Sequence, residues 1–243
     1  GIASLLSCSG PPYRVASSVA AASLPSGPPA PQGDTLTVAG QAGWLEIFLT
    51  ASSGQLVITV IGPDNKPLQN PRFGLSAVSP TGAPASLGLR TCGEGCVWLP
   101  FSWPAGTTDL NFQATSRNWS GGSLAFSVPW PPVKAPPEML TAMITTMQAQ
   151  AHIVVDEHVS SGPNSTAQGS SQLSGSTFIE GEPYAPNTND VHQLPPTAGL
   201  TNLVVYLPGS YIWVRLAIDG KHLLRQEVIV DPGHLIQRTF SYP

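Results

Sequence analysis

Four residues in the second half of the chain carry the side chains best suited to bind a metal ion. Asp156 and His158 lie two residues apart in a run that alternates like a β-strand, so both side chains share one face. His222 and His234 follow in later segments that neighbouring strands would bring alongside. Imidazole and carboxylate groups bind divalent ions such as Cu(II), so these four residues are a candidate metal site. The alternative is a solvated polar face on a half-exposed sheet.

The methionines form a second candidate metal site. Met139, Met143 and Met147 are the three methionines of the chain and are spaced four residues apart, which on a helix places them in one stripe. Thioether groups bind Cu(I). The alternative, which Leu140 and Ile144 favour by widening the apolar face, is that the stripe packs the helix against the rest of its domain.

The three cysteines indicate where the protein works. Cys92 and Cys96 bracket a Gly-Glu-Gly turn and predict a disulfide, with a copper-binding thiolate pair as the alternative. Disulfides persist in oxidising compartments. Cys8 follows a short apolar stub, which indicates either a lipid-carrying cysteine or the end of a membrane helix. Both interpretations predict an extracytoplasmic protein tethered to a membrane through its N-terminus.

Composition and motifs argue against two functional classes. Charged residues make up 10% of the chain and the formal net charge is −4, so there is no basic surface for nucleic acid. The sequence has no G-x-S-x-G elbow, no Gly-rich phosphate loop and no metalloprotease helix motif. We therefore expect a protein that is not an enzyme and does not bind nucleic acid.

The elements that must position these residues are mainly strands. The chain has 24 glycines and 26 prolines, which suits short strands joined by many turns. Residues 35–130 contain eight short β-runs and predict an immunoglobulin-like β-sandwich, with the apolar run 55–61 in the centre of a sheet. The predicted strands are 36–38, 44–49, 56–61, 72–78, 87–91, 97–101, 109–115 and 123–128.

Two proline-rich segments divide the chain. Residues 1–34 are predicted to be a membrane-proximal stub and a flexible tether, and 131–137 a proline-rich linker. Residues 138–243 predict an α+β domain in which one helix, 138–150, packs on an antiparallel meander. Its predicted strands are 151–159, 172–182, 203–206, 211–218, 223–230 and 235–242, with long mobile loops at 160–170 and over much of 183–200.

Turn and packing motifs in two stretches carry a resemblance to a known family. The motifs are the strand 56–61 with its turn Gly62-Pro-Asp-Asn-Lys-Pro-Leu68, Cys92-Gly-Glu-Gly-Cys-Val97, 104–106 and 121–129 in the first stretch, and 211–219, Pro232-Gly-His-Leu-Ile236 and 240–242 in the second. They resemble the extracellular C-terminal region of some CopD-type bacterial copper-transport proteins. The resemblance implies a CopC-like or YtkA-like sandwich followed by half of a LolA-like fold.

The resulting hypothesis is a non-enzymatic binding or interaction module of a membrane copper-handling system, next to a CopD-like membrane unit. One alternative is a lipoprotein that binds an apolar ligand in a LolA-like cavity between helix and meander. Another is a structural surface or filament subunit, consistent with a weakly charged surface rich in Ser and Thr. Copper is the one cofactor that the hypothesis implies.

Overall fold

The computed structural model describes residues 27–78, 84–185 and 190–243, and the predicted lipid-anchor residue Cys8 lies outside them. The protein is mainly β, with antiparallel sheets and two helices. The first nine strands are β1 (Leu36–Ala42), β2 (Leu45–Ser52), β3 (Gln55–Ile61), β4 (Arg72–Val78), β5 (Pro84–Ser86), β6 (Arg90–Gly93), β7 (Cys96–Pro100), β8 (Gly106–Thr115) and β9 (Gly122–Trp130).

These nine strands form a β-sandwich, which we call the N-terminal sandwich. One sheet has the order β1-β2-β3-β7-β6 and the other β5-β4-β8-β9. Alternating residues such as Leu49, Ile58 and Phe112 point between the sheets and are fully buried there. Strand β3 lies in the middle of its sheet, as the apolar run 55–61 predicted.

The remaining elements form the C-terminal layer. They are β10 (Val133–Lys134), α1 (Pro137–Gln148), β11 (Ile153–Ser160), β12 (Thr166–Leu173), α2 (Gly175–Glu180), β13 (Val191–Thr197), β14 (Leu200–Leu207), β15 (Ile212–Ile218), β16 (Leu224–Asp231) and β17 (His234–Ser241). The strands form one sheet of order β10-β13-β14-β15-β16-β17-β11-β12. Both helices pack on one face of it, where Met143, Leu203 and Val214 are fully buried.

The two helices begin where local chemistry predicts. Helix α1 starts directly after Pro136 with Pro137 in its first turn, where a missing backbone N–H costs no hydrogen bond. Helix α2 is capped by Ser174, whose hydroxyl accepts a hydrogen bond of 3.2 Å from the backbone N–H of Thr177. Neither helix has the length and apolar character needed to cross a bilayer, within the described part of the chain.

The N-terminal sandwich and the C-terminal layer pack sheet against sheet. The outer face of the β1–β3 sheet lies on the helix-free face of the C-terminal sheet, so the molecule has four layers. A third hydrophobic cluster fills this junction; its buried members are Phe48, Ile61, Val204, Trp213 and Val230. Strands β1, β2 and β3 are therefore covered on both faces, which explains why their burial is almost continuous along the strand.

A close approach of the backbone supports the same junction. Gly162, at φ 129°, lies against the ring of Trp44, and a Cβ atom there would stand 2.3 Å from the ring carbon Cε3. Gln41 of β1 donates a hydrogen bond of 3.2 Å to the backbone carbonyl of Ser160, whose hydroxyl donates back to Gln41 at 2.6 Å. Glycine at 162 and these paired polar groups hold the loop after β11 against the sandwich.

The sequence predictions were wrong for two segments of the C-terminal layer. Residues 160–170 and much of 183–200, predicted as loops, contain β12 and β13. The predicted strand 172–182 is the end of β12 followed by α2, so the layer has a second helix. Strand β12 is exposed throughout its first seven residues, which are polar apart from Ala167 and Gly169, and so it lacks the apolar alternation by which strands are recognised.

The proline-rich segments are in contact with the folded layers. Val133 and Lys134, within the predicted linker 131–137, pair with Gln193 and His192 of β13. Residues 27–34, predicted as the end of a tether, lie beside β3, where the backbone carbonyl of Pro29 accepts a 3.0 Å hydrogen bond from Gln55. Both segments thereby help to enclose the junction between the layers.

Candidate functional site

A pocket of about 320 Å³ opens where the N-terminal sandwich and the C-terminal layer meet. We call it the junction pocket. Its walls are mostly apolar or hydroxyl-bearing and come from residues 28–37, from β2 and β3, and from β13 and β14. The lining residues are Pro28, Pro29, Pro31, Thr35, Thr37, Thr50, Ser52, Gln55, Val57, Asp190, His192, Val204, Tyr206 and Pro208. Pockets between folded units are common ligand sites.

The sandwich wall of the junction pocket is set by strand register. Thr37, Thr50 and Val57 are directly opposite one another on β1, β2 and β3, so their side chains form a row on the face that meets the C-terminal layer. The hydroxyls of Thr37 and Thr50 bond to each other at 2.9 Å. Gln55 closes one end of the pocket through its bond to Pro29. This wall is therefore fixed before any ligand arrives.

The opposite wall carries an imidazole with an unused nitrogen. The side chain of His192 is 6% exposed, and its Nε2 atom is buried without a hydrogen-bond partner among the described residues. Its Nδ1 atom stands 3.9 Å from Asp190, outside hydrogen-bond range. Burial lowers the pKa of His192, which keeps the ring neutral at pH 7. His192 thus brings to the pocket wall a neutral imidazole that has hydrogen-bonding capacity to spare.

Tyr206 completes this wall beside the junction core. Its ring packs against Phe48 with a centroid separation of 5.8 Å. Burial, with a smaller contribution from Tyr211, raises the pKa of Tyr206 to about 12, so the phenol is neutral. The junction pocket therefore offers apolar surface and neutral polar groups, apart from Asp190 at its rim, and favours a ligand that is largely uncharged.

A buried acid lies farther along the same junction. The carboxyl of Glu46 on β2 is fully buried, accepts a 3.0 Å hydrogen bond from Gln41 and is bonded by the backbone of Gly233. Burial raises the pKa of Glu46 to about 7, with a smaller contribution from Asp231. The charge state of this residue therefore changes near neutral pH inside the contact between the layers.

A second buried network lies under the C-terminal sheet, and we call it the carboxyl cluster. Arg238 of β17 donates from Nε to Glu157 at 2.7 Å, and from Nη1 to Glu182 and Glu227 at 2.8 Å each. Glu182 and Tyr184 also lie next to Glu227. One arginine thus holds three carboxyl groups together in a largely buried site.

The carboxyl groups of Glu182 and Glu227 interact through their charges. Burial, together with the neighbouring charge of Glu227, raises the pKa of Glu182 to about 8. Burial raises the pKa of Glu227 as well, although Arg238 opposes the shift. A protonated Glu182 removes the repulsion between two neighbouring carboxylates. The side chains of Glu227 and Glu182 are 0% and 6% exposed, so both carboxyl groups are shielded from a substrate.

The four residues of the predicted copper site are not brought together. Asp156 and His158 share the solvent-facing side of β11, as predicted, next to Gln168 and Gln237 in a shallow depression. His222 lies in the turn before β16, whereas His234 lies beyond the other end of β16 and its Nδ1 is 3.0 Å from Asp231. Among the described residues, no group of three or more His, Cys, Asp or Glu is arranged to hold a metal ion.

The methionine stripe lies in the core beneath the C-terminal sheet. Met143 and Met147 are fully buried, and Met139 packs against the same cluster. The Sδ atom of Met147 accepts a hydrogen bond of 3.0 Å from Tyr242. Together with Leu140, these side chains occupy the space between α1 and the sheet, which is the place where a LolA-like cavity was predicted.

The predicted disulfide is present between Cys92 and Cys96. The two Cα atoms are 5.1 Å apart, and the bridge closes the turn between β6 and β7. Gly95 in this turn, at φ 60°, lies against the backbone of Val60 and Leu68, where a Cβ atom would stand 2.5 and 2.6 Å from backbone atoms. The bridge and this glycine therefore fix the end of the sheet that carries β3.

Sequence reasoning missed the residues of the junction pocket and the carboxyl cluster. His192 was placed in a predicted loop, and its strand β13 contains two prolines that obscure the alternation. Glu227 has the same parity as Ile229 in β16, which was a usable signal that its carboxyl points into the core. Glu46, a lone charge within the apolar run of β2, was a second such signal.

Comparisons of the chain with protein-family models, with curated proteins and with solved structures find no match.

Proposed function

We propose that this protein is a non-enzymatic binding module that works outside the cytoplasm and holds a small, largely apolar ligand in the junction pocket. The observation that carries the proposal is His192, which lines the pocket and whose buried Nε2 atom has no hydrogen-bond partner among the described residues. Buried polar atoms are normally satisfied, so an unpaired one in a pocket marks a place for a ligand group.

The chemistry of the pocket supports a ligand with one polar group. The row of Thr37, Thr50 and Val57, together with Val204 and Tyr206, provides apolar surface on two sides. A hydroxyl or amide on the ligand then bonds to His192, while the rest of the molecule fills the space between the sheets. A volume of about 320 Å³ suits a compact ligand such as a two-ring aromatic compound.

The same groups support a binding role rather than catalysis. Hydroxyl nucleophiles need a base within hydrogen-bond reach, but the Thr37 and Thr50 hydroxyls bond to each other and the His192 Nε2 atom bonds to neither. In the carboxyl cluster, Glu182 and Glu227 are shielded from solvent and paired with Arg238. Neither site presents an activated group to a substrate.

The disulfide between Cys92 and Cys96 supports a location outside the cytoplasm, because such bonds persist in oxidising compartments. A connection with copper handling remains a prediction from the resemblance to CopD-type proteins. It does not depend on the junction pocket.

The proposal is tested by titrating the protein with 2-naphthol and with naphthalene, which differ by the hydroxyl that would bond to His192. Binding is followed by calorimetry and by the NMR signals of the His192 ring. We expect 2-naphthol to bind with a dissociation constant below about 1 mM. We also expect naphthalene to bind about 2- to 10-fold more weakly, the worth of one hydrogen bond.

His192→Leu should abolish the difference between the two compounds while leaving naphthalene bound. Val57→Phe, which narrows the pocket, should weaken both. His158→Leu makes the same chemical change on the solvent-facing side of β11 and is the matched control. Equal affinity of the wild-type protein for both compounds, or no saturable response at His192, would overturn the proposal.

A further inference from the structure

Strand β12 is an open edge of the C-terminal sheet. It pairs with β11 on one side only, and its first seven residues are exposed. The backbone hydrogen bonds that join turns and loops among the described residues involve none of the residues 166–173. A Cβ atom added to Gly169 would meet nothing within 4 Å. No described residue pairs with the outward N–H and C=O groups of this eight-residue strand, so within the described part of the chain they are open to another strand.

The other sheet edges are short, covered or interrupted, as edge strands of soluble proteins usually are. Strand β1 is mostly buried, and β9, which packs beside it, ends in Pro129 and Trp130. Strands β5, β6 and β10 have three, four and two residues. Strand β12, with the sequence TAQGSSQL, has eight residues and contains neither a proline nor a charged side chain.

We propose that β12 is a self-association edge, which pairs antiparallel with β12 of a second copy of this chain about a two-fold axis. The resulting dimer has one continuous sheet of sixteen strands, twice the eight of one copy. This inference rests on the strand edge alone and is independent of the junction pocket.

Two copies of β12 can pair antiparallel in a register that brings compatible side chains together. A two-fold axis through Ser170 sets Gln168 opposite Gln172 of the other copy, Gly169 opposite Ser171, and Ala167 opposite Leu173. These pairs keep polar residues opposite polar ones on the solvent-facing side, and no like charges meet. A two-fold axis perpendicular to the sheet also keeps the same face of both copies on the same side, so the two depressions beside Asp156 adjoin.

The nearest charges do not oppose this pairing. Asp156 lies directly across from Ser170 within one copy. In the dimer the two Asp156 residues are therefore three strand spacings apart, roughly 14 Å. That separation exceeds the screening length of about 8 Å at physiological salt, so their repulsion is weak. Strand β12 of a second copy can therefore pair with this uncharged edge without a change in conformation.

Sedimentation equilibrium of the full 243-residue chain tests the inference. We expect a reversible monomer–dimer equilibrium. The double variant Gln168→Lys/Gln172→Lys places like charges opposite each other twice and should weaken the dimer about tenfold. Gln168→Glu/Gln172→Glu should weaken it similarly, and an equimolar mixture of the two variants should restore dimers.

Asn111→Lys/Gln113→Lys on β8 adds the same charge at two exposed positions of a strand that is paired on both sides, and is the matched control. Circular dichroism checks that every variant is folded. A wild-type chain that is monomeric at all concentrations would overturn the inference. So would a dimer that the β12 variants leave unchanged, since it would use another surface.

A cross-link gives an independent readout of the register. Directly opposed residues of antiparallel strands have Cα atoms about 4.5–5.5 Å apart, which a disulfide can span. In a Cys8→Ser background, Ser170→Cys should form an intermolecular disulfide on mild oxidation, whereas Asn111→Cys should not. Equal cross-linking of both variants would contradict pairing through β12.

Discussion

The indole nitrogen of Trp213 on β15 donates a hydrogen bond of 2.8 Å to the backbone carbonyl of Thr37 on β1, 176 residues earlier in the chain. Trp213 is 5% exposed and belongs to the hydrophobic cluster of the junction. This bond joins a side chain of the C-terminal layer to the backbone of the N-terminal sandwich. Removing this bond therefore measures what one polar contact across the junction contributes to the free energy of unfolding.

We predict that Trp213→Phe lowers the free energy of unfolding by about 1–3 kcal/mol. The substitution keeps an aromatic ring but leaves the Thr37 carbonyl buried without its donor. Urea unfolding followed by circular dichroism measures the change. Trp98→Phe, at a half-buried position on β7 where the ring packs against Arg90, is the control. Equal effects of the two substitutions would show that the bond to Thr37 contributes nothing specific.

Arg238 is predicted to be the most sensitive charged residue of the protein. Arg238→Met leaves Glu227 buried without its cation, and such a loss typically costs about 3–5 kcal/mol. Arg225→Met breaks the partly exposed pair with Asp219 and should cost less, about 1 kcal/mol. Urea unfolding of both variants makes the comparison. A loss at Arg238 as small as that at Arg225 would contradict the role given to the carboxyl cluster.

The raised pKa of Glu182 in the carboxyl cluster predicts a pH dependence of stability. The pKa of Glu182 rises from 4.5 to about 8 on folding, so the folded state binds more protons than the unfolded state within this range. Its contribution to stability is therefore complete below pH 4.5 and is lost as the pH rises towards 8. Glu182→Gln should flatten this decline in urea unfolding experiments.

Glu46 should contribute in the same sense over a narrower range, because its pKa rises from 4.5 to about 7. His192 acts in the opposite sense below pH 6.5, since burial lowers its pKa. The informative quantity is therefore the difference between the wild-type protein and each variant. A wild-type-minus-Glu182→Gln difference that grows from pH 5 to pH 8 would contradict the raised pKa of Glu182.

Copper titration tests the first sequence hypothesis. Two ligands, Asp156 and His158, share the solvent-facing side of β11, while His222 and His234 lie near opposite ends of β16. We expect calorimetry to give no saturable Cu(II) binding tighter than about 1 µM. Tighter binding that His158→Ala abolishes, but His222→Ala does not, would show that a third ligand reaches this face.

The sequence predicted the elements whose apolar residues form a regular pattern within one segment. The run 55–61 is central in its sheet, and the helix with Met143 and Met147 packs through that stripe. The sequence prediction was wrong for β12, whose exposed residues show no apolar periodicity, and for α2, where the Ser174 cap was overlooked. Local patterns record burial, and these two elements are defined by pairing and capping instead.

The candidate site was less predictable because it depends on contacts between distant segments. Gln55 and Pro29 meet His192 only when the two layers are packed together, and no short motif encodes that contact. The histidines that the spacing did select are at the surface or in turns. His192 became distinctive only through its burial, which the sequence of β13 does not reveal.

Because each layer supplies only part of the junction pocket, a bound ligand would contact both layers and stabilise their association. The coupling is reciprocal. A change that stabilises the contact between the layers raises the affinity for the ligand, and a bound ligand opposes separation of the layers. Mild acidification, which neutralises Glu46 in this contact, would therefore raise the affinity for the ligand, and an increase in pH would lower it.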